Sequence, residues 1–174
     1  MHKQILLGSG KLYIIDYEFG DTIPEHSVFE TPKNSVGSIK GGASLIHSYD
    51  IHSYYSEGIE EGERYITNEE VIFRTGILSW DLKNLERLSG SGTIQETEDK
   101  VVLRLGEGDI LKKYALRFVH TQSNGKKVRI TLLATASKGF ELIFDPEVET
   151  VIDAEFKALR ALEEKTLLIV EQEK

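Results

Sequence analysis

The residues best suited to chemistry are five histidines, His2, His26, His47, His52 and His120, and a surplus of carboxylates. Only His47 and His52 lie close together. On a strand that spacing puts them on opposite faces, a poor arrangement for one metal ion. Neither H-E-x-x-H, G-x-S-x-G nor H-x-E with C-x-x-C occurs. Gly8-Ser9-Gly10-Lys11 and Gly125-Lys126 fall short of a phosphate-binding G-x-x-x-x-G-K-[ST] loop and read as turns. Glu57, Glu60, Glu61 and Glu63 fall in or beside one short stretch. A hydrolase needs two carboxylates tuned apart in a cleft, whereas these four read as a solvated acidic loop. The expectation is a protein that is not an enzyme and has no cofactor or metal.

The elements around these residues are mostly extended. From Ile39 the odd positions run Ile, Gly, Ala, Leu, His, Tyr, Ile, and the even ones run Lys, Gly, Ser, Ile, Ser, Asp, His. This is the period of a strand with one apolar and one polar face. It persists over 38–54, beyond the usual strand length of about 3–10 residues. The Gly41-Gly42 pair within it marks a bulge or a close backbone approach. The acidic stretch 56–62 follows, then a second extended run over 63–75. Thr67-Asn68-Glu69-Glu70 has the form of a helix capping box, but the residues after it keep a strand period. Residues 37–76 therefore read as two long strands joined by an acidic loop. The plainer alternative is a long hairpin in a monomeric sheet.

Other elements flank this ribbon. Residues 11–19 read as a strand and 20–33, with Pro24 and Pro32, as a loop or arm. Asp81 is placed to cap a helix. Leu82, Leu85 and Leu88 share its face, Lys83, Asn84, Glu86 and Arg87 surround the rest, and Trp80 can staple onto Leu85. Gly90 suits its end. Residues 100–105 read as a short strand. Asn124-Gly125 between 114–122 and 127–136 signals a hairpin. A two-residue turn there sets Val119 opposite Ile130 and Thr121 opposite Val128. One face then carries Ala115, Val119, Val128, Ile130, Leu132 and Ala134. The other carries Tyr114, Leu116, Phe118 and Leu133, so the sheet needs covering twice, by the helix or by a neighbouring subunit. At the C-terminus, Ile152, Ala154, Phe156 and Ala158 alternate with polar residues, and a hairpin turning near 163–165 is expected. The whole is a single mainly β domain over 1–174, a β-sandwich or partial barrel with one flanking helix, a long hairpin and an N-terminal strand and arm over about 1–36.

Composition narrows the partners. A net charge of -8 disfavours a protein that grips nucleic acid by neutralising phosphates. The absence of cysteine excludes disulfides and fits assembly in a reducing cytoplasm. The first ten residues hold only a three-residue apolar run, Ile5-Leu6-Leu7, too short for a signal peptide core. No apolar stretch approaches the roughly 20 residues of a membrane helix, so no membrane partner is expected.

The order of several motifs resembles that of phage tail tube proteins, the major tail proteins of tailed bacteriophages. They are Leu6-Leu7-Gly8-Ser9-Gly10-Lys11-Leu12-Tyr13-Ile14, Val36-Gly37-Ser38-Ile39-Lys40-Gly41-Gly42-Ala43, Glu70-Val71 to Thr75-Gly76-Ile77 with Trp80, and Phe144-Asp145-Pro146 to Ile152-Asp153-Ala154-Glu155-Phe156-Lys157-Ala158. The resemblance implies a tail-tube fold, hexameric rings that pool long strands into an inner barrel, and rings stacked into a tube. It implies a virion protein of the tail, assembled in the host cytoplasm. Its partners would be further copies, tape measure and terminator proteins and, in contractile tails, a sheath. DNA would pass through without specific binding. Under this reading Lys40, Ser44, Ser48 and Asp50 face the lumen, and the loop with Glu57, Glu60, Glu61 and Glu63 touches the next ring. Like charge would keep a conduit from holding DNA. Two rivals remain: a ring protein of a phage-derived contractile injection or secretion system, and a monomeric β-barrel that binds a sugar or small ligand among Tyr49, Tyr54, Tyr55 and Tyr65.

Overall fold

A computed structural model describes residues 10–54, 62–161 and 165–174. The chain forms β1 (Lys11–Tyr17), a short α1 (His26–Phe29), β2 (Ile39–Tyr54), β3 (Glu63–Ile77), α2 (Leu82–Ser89), β4 (Thr93–Glu96), β5 (Val101–Arg104), β6 (Lys113–Thr121), β7 (Lys127–Ala136), β8 (Ile152–Ala158) and β9 (Ile169–Gln172). Seven strands make one antiparallel sheet in the order β1-β6-β7-β8-β3-β2, with β9 also on β7. β4 and β5 form a separate pair. The mainly β fold, the flanking helix and the long hairpin expected from the sequence are all present.

The sheet curls. Phe73 of β3 and Phe118 of β6 lie three strands apart in the order, yet their rings approach to 5.8 Å between centroids. Apolar side chains on the inner face make the main core, with Leu12, Phe73, Leu116, Leu132, Ile152 and Phe156 almost fully buried. Helix α2 closes this core with Leu85 and Leu88. It starts where expected, since the Asp81 carboxylate accepts from the Lys83 N–H at 2.9 Å. Gly90 ends it with a positive φ.

Two expectations for α2 fail. Asn84 and Arg87 are buried and do not face solvent. Asn84 donates to the Val36 carbonyl at 3.0 Å, and Arg87 donates to the Ile14 carbonyl at 2.9 Å. Both polar groups enter the interior because unpaired backbone acceptors wait there. Trp80 is largely exposed, with its ring 6.3 Å from Phe144, so it does not bury itself over Leu85 as a staple.

The hairpin of β6 and β7 has a register one residue away from the expected one. Val119 faces Arg129 and Thr121 faces Lys127, so Phe118 faces Ile130. The Gly125 N–H donates to the Gln122 carbonyl, and Gly125 has φ +83°. The loop is thus a three-residue turn ending in a left-handed glycine. One residue of slip exchanges the faces: Tyr114, Leu116, Phe118, Val128, Ile130, Leu132 and Ala134 share the inner face, and Ala115, Val119 and Leu133 the outer.

That outer apolar face is covered by the arm, not by α2. Phe29 of α1 is fully buried against Tyr13, Ala115, Val119 and Leu133. The arm is held by Glu30, which takes an ion pair from Arg129 at 2.5 Å and from Lys127 at 3.1 Å. Burial alone would raise the Glu30 pKa, but hydrogen bonds and charge from Arg129 and Lys127 outweigh it and hold the carboxyl below its ordinary value. A carboxyl with a depressed folded pKa stabilises the fold above its unfolded pKa, and the benefit is lost as pH falls through the folded value. Glu30→Gln will therefore be less stable than the parent at neutral pH, and its stability will fall less between about pH 5 and pH 3. Urea unfolding across that range tests it, and parallel pH curves for the two proteins would remove Glu30 from the acid limb.

The C-terminal strands do not form a hairpin with one another. β8 pairs with β3 and with the end of β7, while β9 pairs with the start of β7. Both are antiparallel to β7 on its one free side, so they lie end to end. The turn expected near 163–165 falls mostly outside the described residues.

Candidate functional site

The β2–β3 ribbon is the feature no local need of the domain explains. β2 has 16 residues, about 50 Å of chain at roughly 3.3 Å per residue. It stands at the end of the sheet, so its outer edge pairs with nothing among the described residues. β8 reaches β3 only over residues 72–77. Beyond that, β3 from Glu63 to Val71 has β2 as its sole strand partner among the described residues. A two-stranded ribbon standing alone is marginal in water.

The other end of the sheet is treated differently. β1 is also an edge strand, but its outer backbone is occupied. The Val36 N–H donates to the Leu12 carbonyl at 3.1 Å, Tyr13 bridges to Ser35, and Arg87 donates to the Ile14 carbonyl. One edge is blunted and the other, much longer, is left open among the described residues. Open edges of this length invite pairing with another chain.

Two irregularities shape the ribbon. Between Lys40 and Ala43 the register jumps, and Gly41 and Gly42 take φ of +75° and +72°. Only glycine takes such angles without strain. Further out, the register shifts again between Ser48 and Asp50, where Asn68 has φ +48° and donates to the Asp50 carboxylate at 3.0 Å. So the apparent capping box at Thr67-Asn68-Glu69-Glu70 is a β-bulge. Bulges re-aim a strand and raise its twist.

Cross-strand pairing assigns the faces. Leu45 faces Phe73 and His47 faces Val71, on the side of the core. Lys40, Ser44, Ser48 and Asp50 all sit on the opposite side, exposed, opposite Gly76, Arg74, Glu70 and Thr67. His47 and His52 lie on different faces, as the spacing requires. The polar face carries both signs of charge in pairs: Lys40 with Glu149 at 3.1 Å, Arg74 with Glu155 at 2.6 Å, and Lys157 with Glu70. Hydrogen bonds from Ser137 and Arg74 hold the Glu155 carboxyl below its ordinary pKa. Three of its cations thus already have carboxylate partners, unlike the free basic stripe that grips phosphate.

Apolar side chains cluster toward the tip. Ile51 faces Ile66, and they are 56% and 59% exposed. Tyr49, Tyr54 and Tyr65 are exposed nearby. Glu63 opens β3 opposite Tyr54 and accepts from the Tyr65 hydroxyl, which raises the Tyr65 pKa. Glu57, Glu60, Glu61 and Tyr55 lie outside the described residues. Among the described residues, Tyr49, Tyr54 and Tyr65 do not gather into a binding pocket: Tyr49 points to the core side of the ribbon, and Tyr54 and Tyr65 to the other. A cavity of about 650 Å³ lies elsewhere, beneath the arm, and none of them lines it. The ribbon is legible in the chain from its strand period. That the outer half lacks a third strand among the described residues is not legible there, because it depends on where β8 stops.

No protein-family model and no curated protein matches the chain. No group of three or more metal-ligating side chains occurs among the described residues.

Proposed function

We propose that this protein is a structural subunit that polymerises through the β2–β3 ribbon into rings, and that the rings stack into a tube. The observation that carries the reading is the open outer edge of β2 together with the half-naked ribbon beyond β8. A neighbour's strands would supply the missing hydrogen bonds and cover Ile51 and Ile66, and closure of a ring would leave no edge exposed. The proposed role is that of the phage tail tube proteins its motifs resemble: hexameric rings in the virion tail, around a lumen through which the genome passes. Lys40, Ser44, Ser48 and Asp50 would face that lumen, and the loop with Glu57, Glu60, Glu61 and Glu63 would meet the next ring. The paired charges of this face favour passage over binding. A ring protein of a contractile injection or secretion system would use the same surfaces.

Negative-stain microscopy and sedimentation of the concentrated protein test this. Rings or tubes with a central hole are expected, with labels at Ser44 and Ser48 open to the lumen. A chain that stays monomeric at every concentration, with other tail components absent or present, would overturn the proposal.

A further inference from the structure

The cavity under the arm has no part in that assembly reading. It lies between residues 21–27 and the outer face of β6, β7 and β9, with a volume of about 650 Å³. Pockets for small ligands fall in the range of about 300–1,000 Å³. Tyr17, Ile23, Pro24, Leu133, Ala161 and Ile169 give it apolar walls.

One charged group stands in this wall. Arg117 is only 4% exposed and lines the cavity. Its Nε donates to Thr131 Oγ1 at 3.0 Å, its Nη1 meets His26 Nδ1 at 2.9 Å, and its Cζ lies over the Phe29 ring, 4.3 Å from the ring centre. All of these partners are neutral groups when His26 accepts. None of these contacts is to a carboxylate. Arg129, two residues along the same face of the sheet, makes the contrast: it is hydrogen-bonded to the carboxylates of Glu30 and Glu173. Arg117 has Glu30 and Glu171 in its field but hydrogen-bonds to neither. Buried cations are normally paired directly with an anion.

We infer that this cavity binds a small molecule with an apolar chain and one carboxylate, the carboxylate completing the coordination of Arg117. The apolar walls take the chain. Asp21, Glu25 and Glu171 also line the cavity and oppose negative charge on a ligand, so a carboxylate is favoured only where it meets Arg117 directly and a second one is disfavoured.

Isothermal titration of the whole protein with decanoate, decanamide, decylamine and decanedioate tests the assignment. Decanoate should bind at one site per chain, tighter than the other three by about tenfold or more, the worth of one charge-assisted hydrogen bond. Octanoate should bind about tenfold weaker than decanoate for the loss of two methylenes. Arg117→Gln should abolish the preference for decanoate over decanamide, and Arg117→Lys should keep part of it. If Arg117→Gln does not fold, the ligand series on the unaltered protein decides. No saturable binding, or equal affinity for the acid, the amide and the amine, would overturn the inference.

Discussion

Exchanging Ile51 for Glu together with Ile66 for Lys will leave the chain folded and abolish tube formation. The two residues face each other across the ribbon and are more than half exposed in the isolated chain. Neither belongs to the main core. An opposite-charge pair at directly opposed positions is itself worth about 0.2–1 kcal/mol, so the ribbon keeps its register. The melting temperature of the monomer should therefore move by no more than about 2–4 °C, the equivalent of 1 kcal/mol in a domain of this size. Assembly should respond strongly. Burying an isoleucine contributes about 1.5–3 kcal/mol, so two lost per contact weaken it by roughly two to four orders of magnitude. Sedimentation across a concentration series measures this against calorimetry of the monomer. Tubes forming at the parent's critical concentration would show that the ribbon's apolar tip is not the contact surface.

Phe73→Ala, on the same strand, will have the opposite profile. Phe73 is 1% exposed, and its ring meets Phe118 of β6 where the curled sheet closes on itself. Emptying a buried phenylalanine site costs about 3–5 kcal/mol. The aromatic pair adds about 0.5–1.5 kcal/mol beyond area. The midpoint of thermal unfolding should fall by roughly 6–20 °C. Below that lowered midpoint the protein should still polymerise, because the exposed ribbon is untouched. A small loss of stability, under about 1 kcal/mol, would mean that the Phe73–Phe118 contact does not hold the sheet closed. The two variants together separate failure to fold from failure to assemble.

Their contrast also marks how far the chain could be read before its structure was known. Strand period, the Gly41-Gly42 bulge, the Asp81 and Gly90 caps and the Asn124-Gly125 turn were all legible, since each depends on neighbours a few residues away. The even face of β2 was legible for the same reason, and Lys40, Ser44, Ser48 and Asp50 do share one side. The β6–β7 register was not. A two-residue turn and a three-residue turn can both use Asn-Gly, and the slip between them is decided by which face the core fills. The burial of Asn84 and Arg87 was hidden because polarity argues for solvent, while the unpaired carbonyls of Ile14 and Val36 that draw them inward are distant in sequence. β8 and β9 misled as well, since two consecutive strands suggest a hairpin until β7 is seen to accept both along one side.

The ribbon that motivates the proposed function divides in the same way. Its length and alternation are properties of the chain itself, set by residue order alone. That, among the described residues, its outer half stands without a third strand and β1 is covered while β2 is not are properties of the packed sheet. They follow from where β8 ends and where α2 and residues 35–36 come to rest, and no stretch of local sequence contains that information.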